Sequence, residues 1–330
     1  MPDPQTDPAA IAAFLSGTVA QGWVQVPMQG DASTRAYWRL LGPGGQSAIL
    51  MQAAENAAMA TYRAIAAHLR GLGLCPPAIQ AEDTTKGLYL IEDLGGDTFA
   101  TWLEDAPADA QPLYAAALDA MLRVQSAPPP PGLTPLVPTR AAGMIAPLFD
   151  HYAPGTDVRQ SARIIGVLQD ALGRHAARAD TLALRDFHAE NLIWRPARQG
   201  TDRVGLLDFQ DAVLAPPEYD LISLLRDARR EVTAEVRIAT IDRHSALTGR
   251  PVAATLAACA VLGVQRNLRI LGIFARLARE QGKTRYLALM PRVWLHVVEE
   301  LEHPALAELA PLVALSVPPP DLAIRRWGSA

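Results

Sequence analysis

Three side chains could together carry out a phosphoryl transfer. Asp186 and Asn191 lie five positions apart in LRDFHAENLI (184–193), and Asp208 follows in VGLLDFQDAV (204–213). The first carboxylate can accept the proton of an attacking hydroxyl, while an amide oxygen and a second carboxylate are hard ligands that suit Mg²⁺. Each residue alone is common in turns, but here all three flank strand-like runs. We therefore predict Asp186 as the catalytic base and Asn191 and Asp208 as metal ligands.

Short strands must position these residues, and the apolar pattern predicts two of them, at 182–185 and 203–207. The first ninety-odd residues are rich in predicted strands, with one helix at 55–74, and everything after Gly95 is mainly helical. The predicted fold class is therefore α+β: a protein-kinase-like, two-lobed fold with a small β-rich lobe and a large helical lobe. The longer predicted helices of the second lobe cover 108–126, 158–179, 219–230, 252–281 and 284–302.

The lobe boundary is predicted near residue 94. Residues 1–94 form the nucleotide-binding lobe in this interpretation, and residues 95–330 form the catalytic and substrate-binding lobe. The layout alone is weak support for a function, because unrelated activities share folds.

Composition excludes several classes of partner. Of the 330 residues, 50% are hydrophobic and 19% are charged, and the formal net charge is −4. Neither nucleic acid nor a membrane surface is an expected partner for such a chain, and no protein partner can be inferred. The N-terminus lacks the features of a signal peptide, and no uninterrupted apolar run approaches the length of a membrane span. With two cysteines at no metal-ligand spacing, the prediction is a cytoplasmic protein.

The loop RDFHAENLI resembles the HGDLHPGNLL loop of the aminoglycoside phosphotransferase and choline kinase superfamily. Within that superfamily, four segments are similar to the anomeric N-acetylmuramate/N-acetylglucosamine kinases. They are GDASTRAYWRL, LIEDLGGDTFATWL, LLDFQDAVLAPPEYDLISLLRDARR and GVQRNLRILGIFARLARE, and the similarity runs from about residue 28 to about residue 295.

This resemblance implies an activity. The protein would use ATP and Mg²⁺ to phosphorylate the C1 hydroxyl of a free amino sugar, in the recycling of cell-wall sugars. Asp220 would be structural, capping a helix and bracing the catalytic loop. Two alternatives stay open: a kinase acting on an aminoglycoside or another small alcohol such as choline, and a catalytically inactive, nucleotide-binding pseudokinase.

Two departures from the kinase pattern keep the pseudokinase alternative open. Leu184 stands where the loop has its first His, which mainly supports the loop, so we expect it to be tolerated. The larger departure is on the strand AILMQA, where Met51 or Gln52 takes the place of the lysine that holds nucleotide phosphates. The chain has only two lysines, Lys86 and Lys283, and neither lies on this strand.

Nucleotide contacts must therefore come from elsewhere. The turn GDASTR offers backbone amides, hydroxyls and a guanidinium, and the crossing between the lobes offers backbone groups for adenine. Asp93 has a second interpretation, as the cap of the following helix. The predicted nucleotide-binding residues are Gly30, Ser33, Thr34 and Arg35 in the turn, with Arg39 nearby, and Glu92, Asp93 and Leu94 at the crossing.

The sugar must lie over the second lobe, close to Asp186. Arginines at 266, 269 and 276 share one face of a helix, as either a solvated basic face or a contact for an anion. Such a face disfavours a polycationic aminoglycoside, which needs carboxylates. The predicted substrate-binding residues are His188, Asp211, Arg226, Arg266 and Arg269.

Overall fold

A computed structural model describes residues 8–28, 35–53 and 57–327. The part before residue 94 is built around one antiparallel sheet of five strands, in the order β1-β2-β3-β5-β4. Its elements are α1 (Pro8–Leu15), β1 (Val24–Met28), β2 (Ala36–Leu41), β3 (Ser47–Gln52), α2 (Ala57–Gly71), β4 (Ile79–Asp83) and β5 (Leu88–Glu92).

A hairpin joins β2 to β3. A 3₁₀ turn at Pro43–Gly45 connects them, and Gly44 and Gly45 adopt positive φ values of 64° and 78°, which glycine tolerates without steric cost. The sequence did not predict β1. This strand lies at the sheet edge and all five of its residues are exposed. It also contains Pro27, and proline within a short run argues against a strand except at a sheet edge.

Strand β3 separates two apolar cores. Ala48 and Leu50 face a small core that includes residues of α1, whereas Ile49 and Met51 join the main core, which continues through α2 into the helical part. Met51 is only 1% exposed. The position where a kinase has its strand lysine is therefore filled by a packed, uncharged side chain.

The remaining chain is mainly helical, with four short strands in two antiparallel pairs, β6 with β9 and β7 with β8. Its elements are α3 (Phe99–Asp105), α4 (Ala110–Val124), α5 (Pro138–Gly143), α6 (Val158–His175), β6 (Thr181–Ala183), β7 (Leu192–Trp194), β8 (Val204–Leu206), β9 (Val213–Ala215), α7 (Tyr219–Leu225), α8 (Ala234–Thr248), α9 (Val252–Gln281), α10 (Met290–Leu301), α11 (Ala310–Ser316) and α12 (Pro320–Trp327).

Helix α9 is the centre of this part. Over the described ranges it is the one helix with the length and apolar composition that a membrane span would need, but 78% of its most apolar window is buried inside the protein. It packs on α6, α7, α8 and α10, so it is a core helix of the fold. Its bounds agree with the predicted helix at 252–281.

Close backbone packing against α9 depends on Gly272. A Cβ at this position would overlap the backbone of Pro147 and Leu148, at the start of a π-helical turn (Leu148–Tyr152). Gly272→Ala is therefore expected to lower the free energy of unfolding by about 1–3 kcal/mol, because backbone cannot move aside as a flexible side chain can.

Gly166→Ala is the matched control for this substitution. Gly166 is exposed within α6, and no atom lies within 4 Å of an added Cβ. This variant should gain roughly 0.5–1 kcal/mol from the helix preference of alanine. Urea denaturation of both variants measures the difference, and equal stabilities would show that the contact at Gly272 is not tight.

Candidate active site

A cavity of about 710 Å³ lies between the loop that follows β6, the segment that follows β8, and helices α7 and α9. All three residues predicted to act in phosphoryl transfer line it. Six arginines line it as well (Arg35, Arg185, Arg226, Arg229, Arg266 and Arg269), together with five carboxylates (Asp186, Glu190, Asp208, Asp211 and Asp227).

Two side chains from α7 hold the catalytic loop in an unusual backbone conformation. Arg185 has a φ of 71°, which costs energy in a residue other than glycine. The Asp220 carboxylate accepts hydrogen bonds from the amides of Leu184 (2.6 Å) and Arg185 (3.0 Å). The Ser223 hydroxyl donates to the Arg185 carbonyl oxygen at 3.0 Å. The loop is therefore fixed before any ligand binds.

Asp220 braces the loop as predicted, but it does not cap a helix. Glu218 occupies the cap position of α7, and Asp220 lies in the first turn. Burial raises the pKa of Asp220 to about 6, against the lowering effect of the two amide hydrogen bonds. Leu184 is 2% exposed, so the residue that replaces the usual His fills core volume, while its backbone amide provides the link to Asp220.

The Asp186 side chain is available to a ligand. It is partly exposed in the cavity, and its carboxylate forms neither a hydrogen bond nor an ion pair with any of the described residues. Its main-chain oxygen accepts a hydrogen bond from Asn191 Nδ2 at 2.9 Å. Because the amide nitrogen of Asn191 is used in this way, the oxygen of the same amide remains for a cation.

Asp208 lies two residues after the end of β8 and lines the same cavity as Asp186. Its φ is 57°, and its side chain is 46% exposed and lies 3.9 Å from the Arg35 guanidinium. Gln210 Nε2 donates to its carboxylate at 2.7 Å. Burial raises the pKa of Asp208, while the hydrogen bond from Gln210 lowers it and the charge of Asp186 raises it further.

Asn191 and Asp208 fit a Mg²⁺ ion that takes only two of its ligands from the protein. Within the described ranges, no group of three or more His, Cys, Asp or Glu residues forms a metal site by itself. Mg²⁺ is commonly bound by one or two protein oxygen ligands together with water and substrate phosphates. The Asp208 carboxylate and the Asn191 amide oxygen are such a set.

The predicted nucleotide-binding residues lie in different places. Gly30, Ser33 and Thr34 fall outside the described residues, and Arg35 lines the cavity. Glu92, Asp93 and Leu94 do not line it. Glu92 lies 3.8 Å from the Arg195 guanidinium, and Leu94 packs in a small core with Cys75 and Ile193.

The interpretation of Asp93 as a helix cap is wrong. Its carboxylate pairs with Arg39 Nε at 2.8 Å and accepts a hydrogen bond from the Gly95 amide at 3.0 Å. Thr98 caps the following helix instead, accepting a hydrogen bond from the Thr101 amide. The cap of α3 therefore lies five residues after Asp93. The Asp93 carboxylate instead links Arg39 to the segment that crosses between the lobes.

The five predicted substrate-binding residues all line the cavity, but they are not equally available. The Arg226 guanidinium pairs with both Glu299 and Glu300, and Arg266 donates to the Ser223 hydroxyl at 2.6 Å. Arg276, the third arginine of the predicted helix face, is exposed and lies outside the cavity lining.

His188 and Asp227 form a polar corner of the cavity, and the sequence predicted only His188. Burial lowers the pKa of His188, while the charge of Asp227 raises it. Asp227 is 3% exposed, and one of its carboxylate oxygens, like His188 Nδ1, has no hydrogen-bond partner in the described protein. The sequence signal for Asp227 was an acidic residue two positions after the apolar pair Leu224 and Leu225, which end α7.

An apolar wall was also missed. Residues of α9 and the turn after it supply it: Ile270, Ile273, Phe274, Leu277 and Tyr286. The Phe274 and Tyr286 rings lie 4.8 Å apart, centroid to centroid. The periodic apolar residues of α9 signalled a core helix, and nothing in that period showed which of them would face a cavity.

Comparison with known proteins decides the family. The sequence model of the phosphotransferase enzyme family matches residues 24–259 of this chain. The chain belongs to this family. Among curated members, the N-acetylmuramate/N-acetylglucosamine kinase of Caulobacter vibrioides is 39% identical over 91% of this chain and 94% of its own length. The enzyme of the same name from Pseudomonas putida is 31% identical over 88% of this chain and 90% of its own length.

Solved phosphotransferase structures share the fold. The choline kinase LicA from Streptococcus pneumoniae has a TM-score of 0.58 at 13% identity, covering 88% of this chain and 98% of that one. An ADP-bound aminoglycoside phosphotransferase, APH(2'')-Ib, also has a TM-score of 0.58, at 12% identity, covering 92% of this chain and 99% of that one. The predicted kinase-like fold, the predicted resemblance and the predicted enzyme class are confirmed.

Proposed function

We propose that the protein transfers the γ-phosphoryl group of ATP to the C1 hydroxyl of N-acetylmuramate and N-acetylglucosamine. The observation that carries the proposal is the Asp186 carboxylate, which is held beside Asn191 and Asp208 in the cavity and has no hydrogen-bond partner in the described protein. The curated relatives named N-acetylmuramate/N-acetylglucosamine kinases support the choice of sugars.

Asp186 is the base in this proposal. Its carboxylate accepts the proton of the C1 hydroxyl as the oxygen bonds to the γ-phosphorus, and the bond from that phosphorus to the bridging oxygen breaks to release ADP. The anomeric hydroxyl is more acidic than an ordinary alcohol, so a carboxylate of ordinary basicity suffices. The bracing by Asp220 and Ser223 fixes the backbone of Leu184 and Arg185, from which Asp186 follows directly.

Asn191 and Asp208 would hold Mg²⁺, which when bound neutralises phosphate charge and orients the nucleotide. The Arg35 guanidinium lies 3.9 Å from the Asp208 carboxylate. It is therefore proposed to contact the nucleotide phosphates, in place of the lysine that the strand lacks at Met51. The remaining proposed nucleotide contacts are Gly30, Ser33 and Thr34 of the preceding turn and the backbone of Glu92, Asp93 and Leu94.

His188, Asp211, Arg226, Arg266 and Arg269 are proposed to surround the sugar. Arg269 lines the cavity without an ion-pair partner among the described residues, which supports an uncharged or anionic substrate. A polycationic aminoglycoside would need unpaired carboxylates instead. The wider setting we propose is the cytoplasm and the recycling of cell-wall sugars, where the only partner required is a small molecule.

Substrate turnover tests the proposal. The full chain is incubated with ATP and Mg²⁺ and one of N-acetylmuramate, N-acetylglucosamine, kanamycin or choline, and ADP release is followed. Release with either amino sugar, and not with kanamycin or choline, is the expected result. Release with kanamycin or choline alone would favour the alternative kinases. Nucleotide binding without turnover of any alcohol would favour the pseudokinase.

A further inference from the structure

Arg269 differs from the other arginines of the cavity. Five of the six have a polar or charged partner: Arg35 with Asp208, Arg185 with the Asp211 carbonyl oxygen, Arg226 with Glu299 and Glu300, Arg229 with Glu190, and Arg266 with Ser223. Arg269 lines the same cavity but forms no hydrogen bond or ion pair within residues 8–28, 35–53 and 57–327. Among the described residues, it is the cavity arginine without a direct hydrogen-bond or ion-pair partner.

Such a side chain carries an electrostatic cost. Arg269 is partly buried. Burial is the main cause that lowers its pKa, and the charges of Arg185 and Arg266 lower it further, while Tyr219 and Asp186 act in the opposite direction. A guanidinium nevertheless stays protonated in proteins. Buried charges without a partner are strongly unfavourable, so an anionic group of a ligand placed here would remove a penalty that the protein otherwise carries.

We infer that Arg269 binds the lactyl carboxylate of N-acetylmuramate and thereby determines the preference between the two amino sugars. The inference rests on the proposed function. N-acetylglucosamine is the same amino sugar without the lactyl group, so it presents no anion to Arg269. The guanidinium fork of arginine matches a carboxylate in geometry as well as charge.

The surroundings of Arg269 agree with this assignment. Asp186 is close enough to Arg269 that its charge raises the pKa of Arg269. The lactyl carboxylate and the C1 hydroxyl belong to the same sugar residue. A sugar whose hydroxyl is at Asp186 therefore brings its anion to this side of the cavity. Ile270 and Ile273, which follow Arg269 on α9, line the cavity too and suit the lactyl and acetyl methyl groups.

The test compares two glutamine substitutions on one helix. Arg269→Gln is expected to lower kcat/KM for N-acetylmuramate by about 10- to 100-fold, the range of a lost charge-assisted hydrogen-bonded pair. The value for N-acetylglucosamine should change by less than about threefold. Arg276→Gln, which removes an exposed arginine outside the cavity, should leave both sugars unaffected.

A neutral analogue of N-acetylmuramate provides a second test, which begins with the wild-type enzyme. Wild-type enzyme should use N-acetylmuramate about 10- to 100-fold better than the analogue whose lactyl carboxylate is converted to a carboxamide, and Arg269→Gln should erase that preference. Equal losses on both amino sugars would overturn the inference and place Arg269 against a group that they share, such as the transferred phosphate. Turnover of neither sugar by the wild type would overturn the proposed function itself, and this inference with it.

Discussion

Asp186→Asn lowers kcat by about 10³-fold in our account and leaves KM for the sugar nearly unchanged. Positioned general bases contribute factors of about 10²–10⁴, and an amide in place of the carboxylate cannot accept the hydroxyl proton. The isosteric amide still fits the cavity. The variant should also unfold at the wild-type temperature, because the carboxylate has no hydrogen bond or ion pair to lose among the residues described. Steady-state kinetics and a thermal melt measure both effects.

Asp170→Asn is the control for a loss of negative charge. Asp170 is exposed on α6 and does not line the cavity, so its replacement should change neither activity nor stability. If Asp186→Asn retained activity within about tenfold of wild type, an effect smaller than a positioned base contributes, the assignment of the base would be wrong.

The second large effect is expected at Asp208. Asp208→Asn should lower kcat/KM for ATP by at least about 10²-fold and raise the Mg²⁺ concentration needed for half-maximal activity, because a neutral amide binds the cation less strongly than a carboxylate. The measurement is a Mg²⁺ titration of activity at fixed ATP and sugar.

A structural role for Asp208 would give a different result. The hydrogen bond from Gln210 and the ion pair with Arg35 are its described contacts. Gln210→Ala removes the first of these without touching the carboxylate. If that variant reproduced the full loss seen in Asp208→Asn with no change in Mg²⁺ dependence, Asp208 would act through protein packing rather than through the metal.

The sequence predicted that Asp186, Asn191 and Asp208 share one site because that information is local. Asp186 and Asn191 are five positions apart on one short loop, and Asp208 follows β8, which pairs with β7, the strand that leaves that loop. Apolar runs at 182–185 and 203–207 predicted the strand before the loop and the strand before Asp208. Spacing and strand pattern were therefore enough to predict that the three residues lie together.

The sequence could not rank the arginines, because their partners are distant in the chain. Arg266 is held by Ser223, 43 positions away, and Arg226 by Glu300, 74 positions away. A helix face with three arginines looks the same whether each is paired, exposed or free. Only the packing of α9 against α7 and α10 separates the paired Arg266 from the unpaired Arg269 and the exposed Arg276.

Some elements were missed because their patterns were weak. The edge strand β1 is only five residues long, contains Pro27 and is exposed throughout. Helix α8 packs polar residues on its buried face, among them Thr240, His244 and Ser245, and these interrupt the apolar period that predicts a helix. Contacts between helices, such as the hydrogen bond of 3.2 Å from the Ser245 hydroxyl to the Thr255 hydroxyl, are visible only in the fold.

The position of the transferred phosphate tests the central claim most directly. Wild-type enzyme, ATP and Mg²⁺ are incubated with N-acetylmuramate, and the product is examined by phosphorus NMR with proton coupling. The account predicts an acid-labile sugar 1-phosphate whose phosphorus couples to the anomeric proton. A phosphate on another hydroxyl of the sugar, or no sugar phosphate while nucleotide still binds, would contradict it.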